Sequence, residues 1–191
     1  MNQRNLLEVD WSKIPAPVDD GGAVHLVGTT LPPVSLRATD DTMVTLSALP
    51  GRIVVFAYPR TGEPGKIALV DDWDMIPGAR GCTPQTCAFR DLFADLKAAG
   101  ASHVFGLSTQ DNAYQTEMAS RLHLPFPVLS DEKLELTRAL RLPIMDVAGL
   151  TLIKRLTLII DAGHITHVFY PVFPPDKNAA EVLAWLKENP H

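Results

Sequence analysis

The chain has 191 residues, which favours a single domain large enough to bury a substantial core. Its net charge of −5 gives no reason to expect nucleic acid or an acidic membrane surface as a partner. No apolar run is long enough to span a bilayer, and the first residues lead into no long apolar segment. Neither a membrane anchor nor a secretory signal is therefore expected. Because two cysteines at close range suit a reducing compartment, we predict a cytoplasmic protein.

The first predicted element is an irregular N-terminal arm over residues 1–30, rich in proline and glycine, followed by one domain over residues 31–191. Apolar and alternating runs then predict a series of strands, at 34–36, 42–46, 52–58, 103–108, 125–129, 155–161 and 165–170. The run 52–58 is apolar on both faces, which is typical of a strand in the middle of a covered sheet.

Helices are predicted between these strands. The first has Thr83 as its N-cap and Pro84 at its first helical position, and the next spans 111–122. A third begins after a cap at Ser130-Asp131 and runs to about Leu140. Asn178 and Glu181 form a capping box for the last. This alternation, with a late hairpin, predicts an α/β fold in which helices cover both faces of a mixed central sheet.

The chemistry of the chain centres on its two cysteines, Cys82 and Cys87, at the start of the first predicted helix. A helix N-terminus favours the thiolate, which is the nucleophilic form of cysteine. On one regular helix their Cα atoms would be roughly 8.6 Å apart, whereas a disulfide needs about 7 Å or less. A bond between them therefore requires the helix start to unwind, and the pair is interpreted as a switch in which one thiol reacts and the other resolves it.

On the residues alone, we weigh two other interpretations of the cysteines. Two buried structural cysteines would be inert. A metal site is not expected, because zinc takes four ligands and no histidine lies near the pair in sequence. We accordingly predict no metal site at the cysteines.

Several segments in order resemble the peroxiredoxins, and within them the bacterioferritin comigratory protein or peroxiredoxin Q type. The similar segments are 56–59, 81–83, 87–91, 105–108, 124–131 and 155–161, so that the resemblance covers roughly residues 30–188. It implies a thioredoxin-like fold and a peroxidase that uses a thiol and needs no metal or organic cofactor. It also implies a peroxide substrate and a thioredoxin or similar dithiol reductant, and we expect a monomer or homodimer.

The resemblance also implies a role for individual residues. Cys82 resembles the peroxidatic cysteine and Cys87 the resolving cysteine, while Arg155 resembles the arginine that faces the thiolate. Pro59 resembles the proline that opens the active-site loop and shields the thiolate.

One position departs from the family pattern. The family usually has a hydroxyl residue three positions before the reactive cysteine, and here that residue is Ala79. An insertion of about twenty residues, spanning 60–80, lies just before the cysteine and is predicted to form a lid or partner surface. Thr61 is the first candidate for the displaced hydroxyl and Thr83 is the second.

The leading hypothesis is a peroxidase that passes through a Cys82 sulfenic acid and a Cys82–Cys87 disulfide. The alternatives are a thiol-disulfide relay acting on proteins and a non-catalytic redox sensor on the same fold. The absence of a Cys-x-x-Cys motif weighs against the relay, whereas Ala79 keeps the sensor open.

Overall fold

The computed structural model describes residues 9–191, so the first eight residues of the predicted arm lie outside the described residues. Nine strands form within that part of the chain: β1 Ser35–Ala38, β2 Met43–Thr45, β3 Arg52–Ala57, β4 Ala101–Ser108, β5 Val128–Ser130, β6 Ile144–Val147, β7 Leu150–Ile153, β8 Leu156–Asp161 and β9 His164–Phe169. The helices are α1 Cys82–Asp91, α2 Phe93–Ala98, α3 Asn112–Arg121, α4 Glu135–Leu140 and α5 Asn178–Glu188, with short 3-10 turns at Trp11–Lys13, Leu46–Ala48, Trp73–Met75 and Pro175–Lys177.

Seven strands make one mixed sheet in the order β2-β1-β5-β4-β3-β8-β9. Strand β3 lies inside it, parallel to β4 and antiparallel to β8, and all six of its residues are buried. This is the central position that its apolar run predicts, because neither face of the strand has a polar side suited to water. The remaining two strands, β6 and β7, pair as a separate hairpin.

The sheet separates two parts of the core. Val54 and Phe56 of β3 pack in a cluster with residues of α1, α2, α3 and α5. Ile53 and Val55 face the opposite side, where α4 and Ile153 of the hairpin contribute. The predicted arrangement of a mixed sheet with helices on both faces is confirmed, with most of the helices on one face.

The structure differs from the sequence predictions at three places. It contains the β6–β7 hairpin, for which no strands are predicted. Helix α4 begins at Glu135 rather than after Asp131, although the Asp131 carboxylate still accepts the N–H groups of Leu136 and Thr137. Asn178 forms no capping box, because its side chain turns into the core instead of bonding to the helix start.

The described part of the arm packs against the body. Leu26 is fully buried in the core, and Asp20 accepts hydrogen bonds from Lys154 and Tyr170. The boundary at residue 31 stays a prediction. No helix within residues 9–191 combines the length and apolarity that a membrane crossing requires.

Candidate active site

Cys82 is the first residue of α1, and the residue before it sets the geometry of the helix start. Gly81 is the N-cap, with a backbone φ of 104° that residues with a Cβ rarely adopt. A Cβ at Gly81 would lie 2.6 Å from Trp11 Cη2 and 2.7 Å from Pro175 Cγ. The predicted N-cap at Thr83 is therefore wrong by two residues: the left-handed glycine starts the helix early enough to include the cysteine, and Thr83 and Pro84 fall inside the first turn.

Arg155, in the short connection between β7 and β8, reaches the same point from the sheet. Its buried guanidinium places Nη2 3.3 Å from Cys82 Sγ. The same Nη2 donates to the backbone oxygens of Gly78 and Arg80, both at 3.1 Å. The structure thus brings together Cys82 and Arg155, two residues that are 73 positions apart in sequence.

The charge of Arg155 has no carboxylate partner within residues 9–191. Its hydrogen-bond partners are backbone oxygens, the side-chain oxygen of Gln85 and the sulfur of Cys82. Because a buried cation is costly without compensation, the guanidinium is placed where it would stabilise negative charge that develops on the Cys82 sulfur. The first-turn N–H groups of α1, which lack intrahelical partners, favour the same charge.

Cys87 lies in the second turn of α1 and meets different surroundings. It is 8% exposed, belongs to the apolar cluster beneath α1, and burial raises the pKa of its thiol. Both cysteines are free thiols. Since both lie on one continuous helix, bonding them requires that helix to unwind, as the spacing predicts.

A cavity of about 40 Å³ covers the Cys82 side of the helix start. Its wall includes Arg60, Trp73 and Arg80 of the insertion, together with Thr83 of the first helical turn. Since a bound water needs roughly 10–15 Å³ of cavity volume, this cavity suits a molecule of a few heavy atoms. A larger cavity of about 340 Å³ adjoins it beneath the same insertion and shares Arg60 and Trp73 with it.

The two candidate hydroxyls are placed differently. Thr61 is buried, and both its N–H and its hydroxyl donate to Gln110 Oε1, at 2.9 and 3.1 Å. It lines the larger cavity but not the one over Cys82. Thr83 lines the Cys82 cavity, and its hydroxyl makes no hydrogen bond within the described residues. The structure therefore does not bring Thr61 to the thiol, and the role predicted for it stays a prediction.

Pro59 lies two residues after the end of β3 and is buried. Its carbonyl accepts a 3.4 Å hydrogen bond from Ser108, and it does not line the Cys82 cavity. Its shielding role also stays a prediction. Within residues 9–191 no three His, Cys, Asp or Glu side chains converge as a metal site would require.

Three polar residues near the site were missed from the sequence. Gln85, Asn178 and Thr157 are fully buried and connect to Arg155 by hydrogen bonds. A signal existed for Gln85 alone, since it lies three positions after Cys82 and so shares its helix face.

The fold and site together define a thioredoxin-like protein with an arginine-paired cysteine at the start of a helix. Comparison with known families agrees: the sequence profile described as Redoxin matches residues 26–183. The chain is 35% identical to the chloroplastic peroxiredoxin Q of Oryza sativa subsp. japonica over 162 residues, 84% of this chain and 66% of that protein. Its identity to peroxiredoxin Q of Sedum lineare is 33% over 162 residues, 84% of this chain and 77% of the relative. The chain belongs to the redoxin family and, within it, to the peroxiredoxins of the peroxiredoxin Q type.

Solved structures support the same fold. Peroxidoxin BcpB from Mycobacterium tuberculosis superposes with a TM-score of 0.67 at 26% identity, covering 86% of this chain and 98% of that one. Peroxiredoxin Q from Xanthomonas campestris gives a TM-score of 0.65 at 24% identity, covering 82% and 90% of the two chains. The chain spans just under two thirds, 66%, of the length of the rice relative.

Proposed function

We propose that this chain is a thiol-dependent peroxidase that reduces hydrogen peroxide or organic hydroperoxides. The observation that carries the proposal is the 3.3 Å contact between Arg155 Nη2 and Cys82 Sγ, in which no carboxylate of residues 9–191 pairs with the guanidinium. Such a pair holds a thiolate next to a cavity that suits a peroxide group. Membership in the peroxiredoxin Q type supports the same activity.

In the first step the Cys82 thiolate attacks one oxygen of the peroxide. An S–O bond forms as the O–O bond breaks, and the departing hydroxide or alkoxide takes up a proton to leave as water or alcohol. The sulfur is oxidised to a sulfenic acid and the peroxide is reduced. Arg155 and the first-turn N–H groups stabilise the negative charge that moves from sulfur to oxygen.

In the second step Cys87 attacks the Cys82 sulfur, releasing water and forming an intramolecular disulfide. The helix between them must unwind for this bond to close, because its regular geometry keeps the Cα atoms roughly 8.6 Å apart. A thioredoxin or similar dithiol protein then reduces the disulfide by exchange. A cytoplasmic location stays a prediction, and the plant relatives named above are chloroplastic.

The test is consumption of hydrogen peroxide and of an organic hydroperoxide by the purified chain, driven by thioredoxin, thioredoxin reductase and NADPH. We expect turnover with at least one peroxide. Mass spectrometry of the peroxide-treated protein should show a loss of two hydrogens and a linked Cys82–Cys87 peptide. No oxidation of Cys82 by either peroxide would refute the peroxidase.

A further inference from the structure

A chain of buried hydrogen bonds runs from the site to the last helix. Arg155 Nη1 donates to Gln85 Oε1, and Gln85 Nε2 donates to Asn178 Oδ1 at 2.9 Å. The hydroxyl of Thr157, on β8, donates to the same Asn178 oxygen at 2.7 Å. Each of Gln85, Asn178 and Thr157 has no exposed surface.

The direction of these bonds is fixed by chemistry. Arg155 only donates, so Gln85 must present its oxygen to the guanidinium and its NH₂ to Asn178. Asn178 must then present its oxygen to both Gln85 and Thr157, and its Nδ2 is left without a hydrogen-bond partner in the described part of the chain. Asn178 therefore uses one oxygen to accept two hydrogen bonds. We call Asn178 the anchor of Gln85, because the bond between them fixes the orientation of the Gln85 amide.

We infer that Asn178 and Thr157 are positioning residues for the Cys82 site, acting through Gln85 on Arg155. This inference rests on the peroxidase function proposed above. The guanidinium is held on one side by the backbone oxygens of residues 78–80 and on the other by Gln85. Without the anchor, Gln85 is free to rotate, and the guanidinium keeps its backbone partners on Nη2 but loses the fixed partner on Nη1, so its orientation towards the sulfur is held from one side only.

The same anchor opposes disulfide formation. Gln85 lies between Cys82 and Cys87 on α1, in the segment that must unwind before the disulfide closes. Unwinding moves Gln85 away from Asn178 and breaks their hydrogen bond. The network therefore favours the reduced, helical state, and its loss should affect the two chemical steps in opposite directions.

The primary variant is Asn178→Ala. We expect Cys82 oxidation by peroxide to slow by about tenfold, the effect of one lost hydrogen bond of ordinary strength. We expect disulfide formation from the sulfenic acid to accelerate severalfold. Both rates are measured by stopped-flow fluorescence and by mass spectrometry of quenched samples.

Two further variants separate positioning from folding. Asn178→Asp keeps the accepting oxygen and the shape of the side chain and adds a buried negative charge, which strengthens the bond accepted from Gln85, so it should recover most of the oxidation rate while slowing the disulfide step. Thr157→Val removes one donor at nearly constant volume and should give a smaller effect of the same sign as Asn178→Ala. Asn112→Ala, at the first residue of α3, is the matched control and should change neither rate.

One readout is independent of peroxide. Alkylation of Cys82 by iodoacetamide in a Cys87→Ser background reports the arginine-held thiolate directly, and Asn178→Ala should slow it while Asn178→Asp restores it. An alkylation rate that is unchanged in Asn178→Ala would overturn the positioning role. So would a variant in which Cys82 oxidation and disulfide formation slow together. If the wild type alkylates rapidly but no peroxide oxidises it, the proposed peroxidase fails and the positioning role stands.

Discussion

Cys82 and Cys87 occupy the first and second turns of one helix, and they meet opposite surroundings. The sulfur of Cys82 faces a buried guanidinium and a small cavity. Cys87 packs in an apolar cluster, where burial raises the pKa of its thiol. Since the residue type and the helix are the same for both, the difference shows that the contacts of each helical turn set the surroundings of its thiol.

The largest expected effect distinguishes the role of Cys82 from that of Cys87. Cys82→Ser should abolish peroxide consumption, because no nucleophile remains at the cavity. Cys87→Ser should retain one rapid oxidation of Cys82 and lose turnover with thioredoxin, because no resolving thiol remains. Single-turnover and steady-state peroxide assays measure the two quantities, and circular dichroism checks the fold. The reverse pattern would exchange the roles of the cysteines.

Removing the Arg155 cation should make the surroundings of Cys82 more like those of Cys87. Arg155→Met loses a hydrogen bond to a charged sulfur, a change of about 1.5–3 kcal/mol, and should slow Cys82 oxidation by roughly 10- to 150-fold. Reduction of the preformed disulfide by thioredoxin should change little, which serves as the internal control. Stopped-flow oxidation at the wild-type rate would mean that the helix start activates Cys82 without Arg155.

A pH series should change the rate of the disulfide-forming step, in which Cys87 of the second helical turn is the nucleophile. Since burial raises the pKa of Cys87 above its ordinary value of 9.0, the thiol form predominates at neutral pH in the folded state. The disulfide-forming step should accelerate with pH, approaching about tenfold per unit while the thiolate is the minor form. The stability that comes from burying the neutral thiol is present below pH 9 and decreases as pH rises through the raised pKa. Rapid-quench mass spectrometry between pH 6 and 10 measures the rate, and a flat profile would mean that unwinding alone limits it.

The smallest expected effect distinguishes the two hydroxyls. Thr83→Val should slow Cys82 oxidation by roughly two- to tenfold, because Thr83 lines the reacting cavity, and Thr83→Ser should restore the rate. Thr61→Val should leave this rate unchanged and lower the free energy of unfolding by about 1 kcal/mol through its bond to Gln110. A tenfold slower oxidation in Thr61→Val, rescued by Thr61→Ser, would instead give Thr61 the orienting role.

The sequence predicts those parts of the molecule whose signals are local. The apolar run of β3 and the order of helices and strands are of this kind. Arg155 was identified by resemblance, and its approach to Cys82 depends on a sheet that pairs distant segments. Asn178 shows the limit of local patterns: its capping-box spacing is present, but burial turns its side chain towards Gln85. The β6–β7 hairpin was missed because its turn, Ala148-Gly149, has positive φ at both residues without the Asn-Gly or Asp-Gly sequence that usually marks such turns.

The contact between Trp11 and Gly81 has an optical consequence. Of the three tryptophans, Trp11 touches the N-cap of α1 and Trp73 lines the cavity over Cys82. Trp185 stacks on His167 with ring centroids 4.8 Å apart, and the Arg52 guanidinium lies over its ring. The proposed unwinding of the helix start would change the environment of the first two indoles directly, whereas Trp185 lies on α5. We therefore expect the intrinsic fluorescence of the protein to change during the proposed redox cycle, and Trp185→Phe would limit that signal to Trp11 and Trp73.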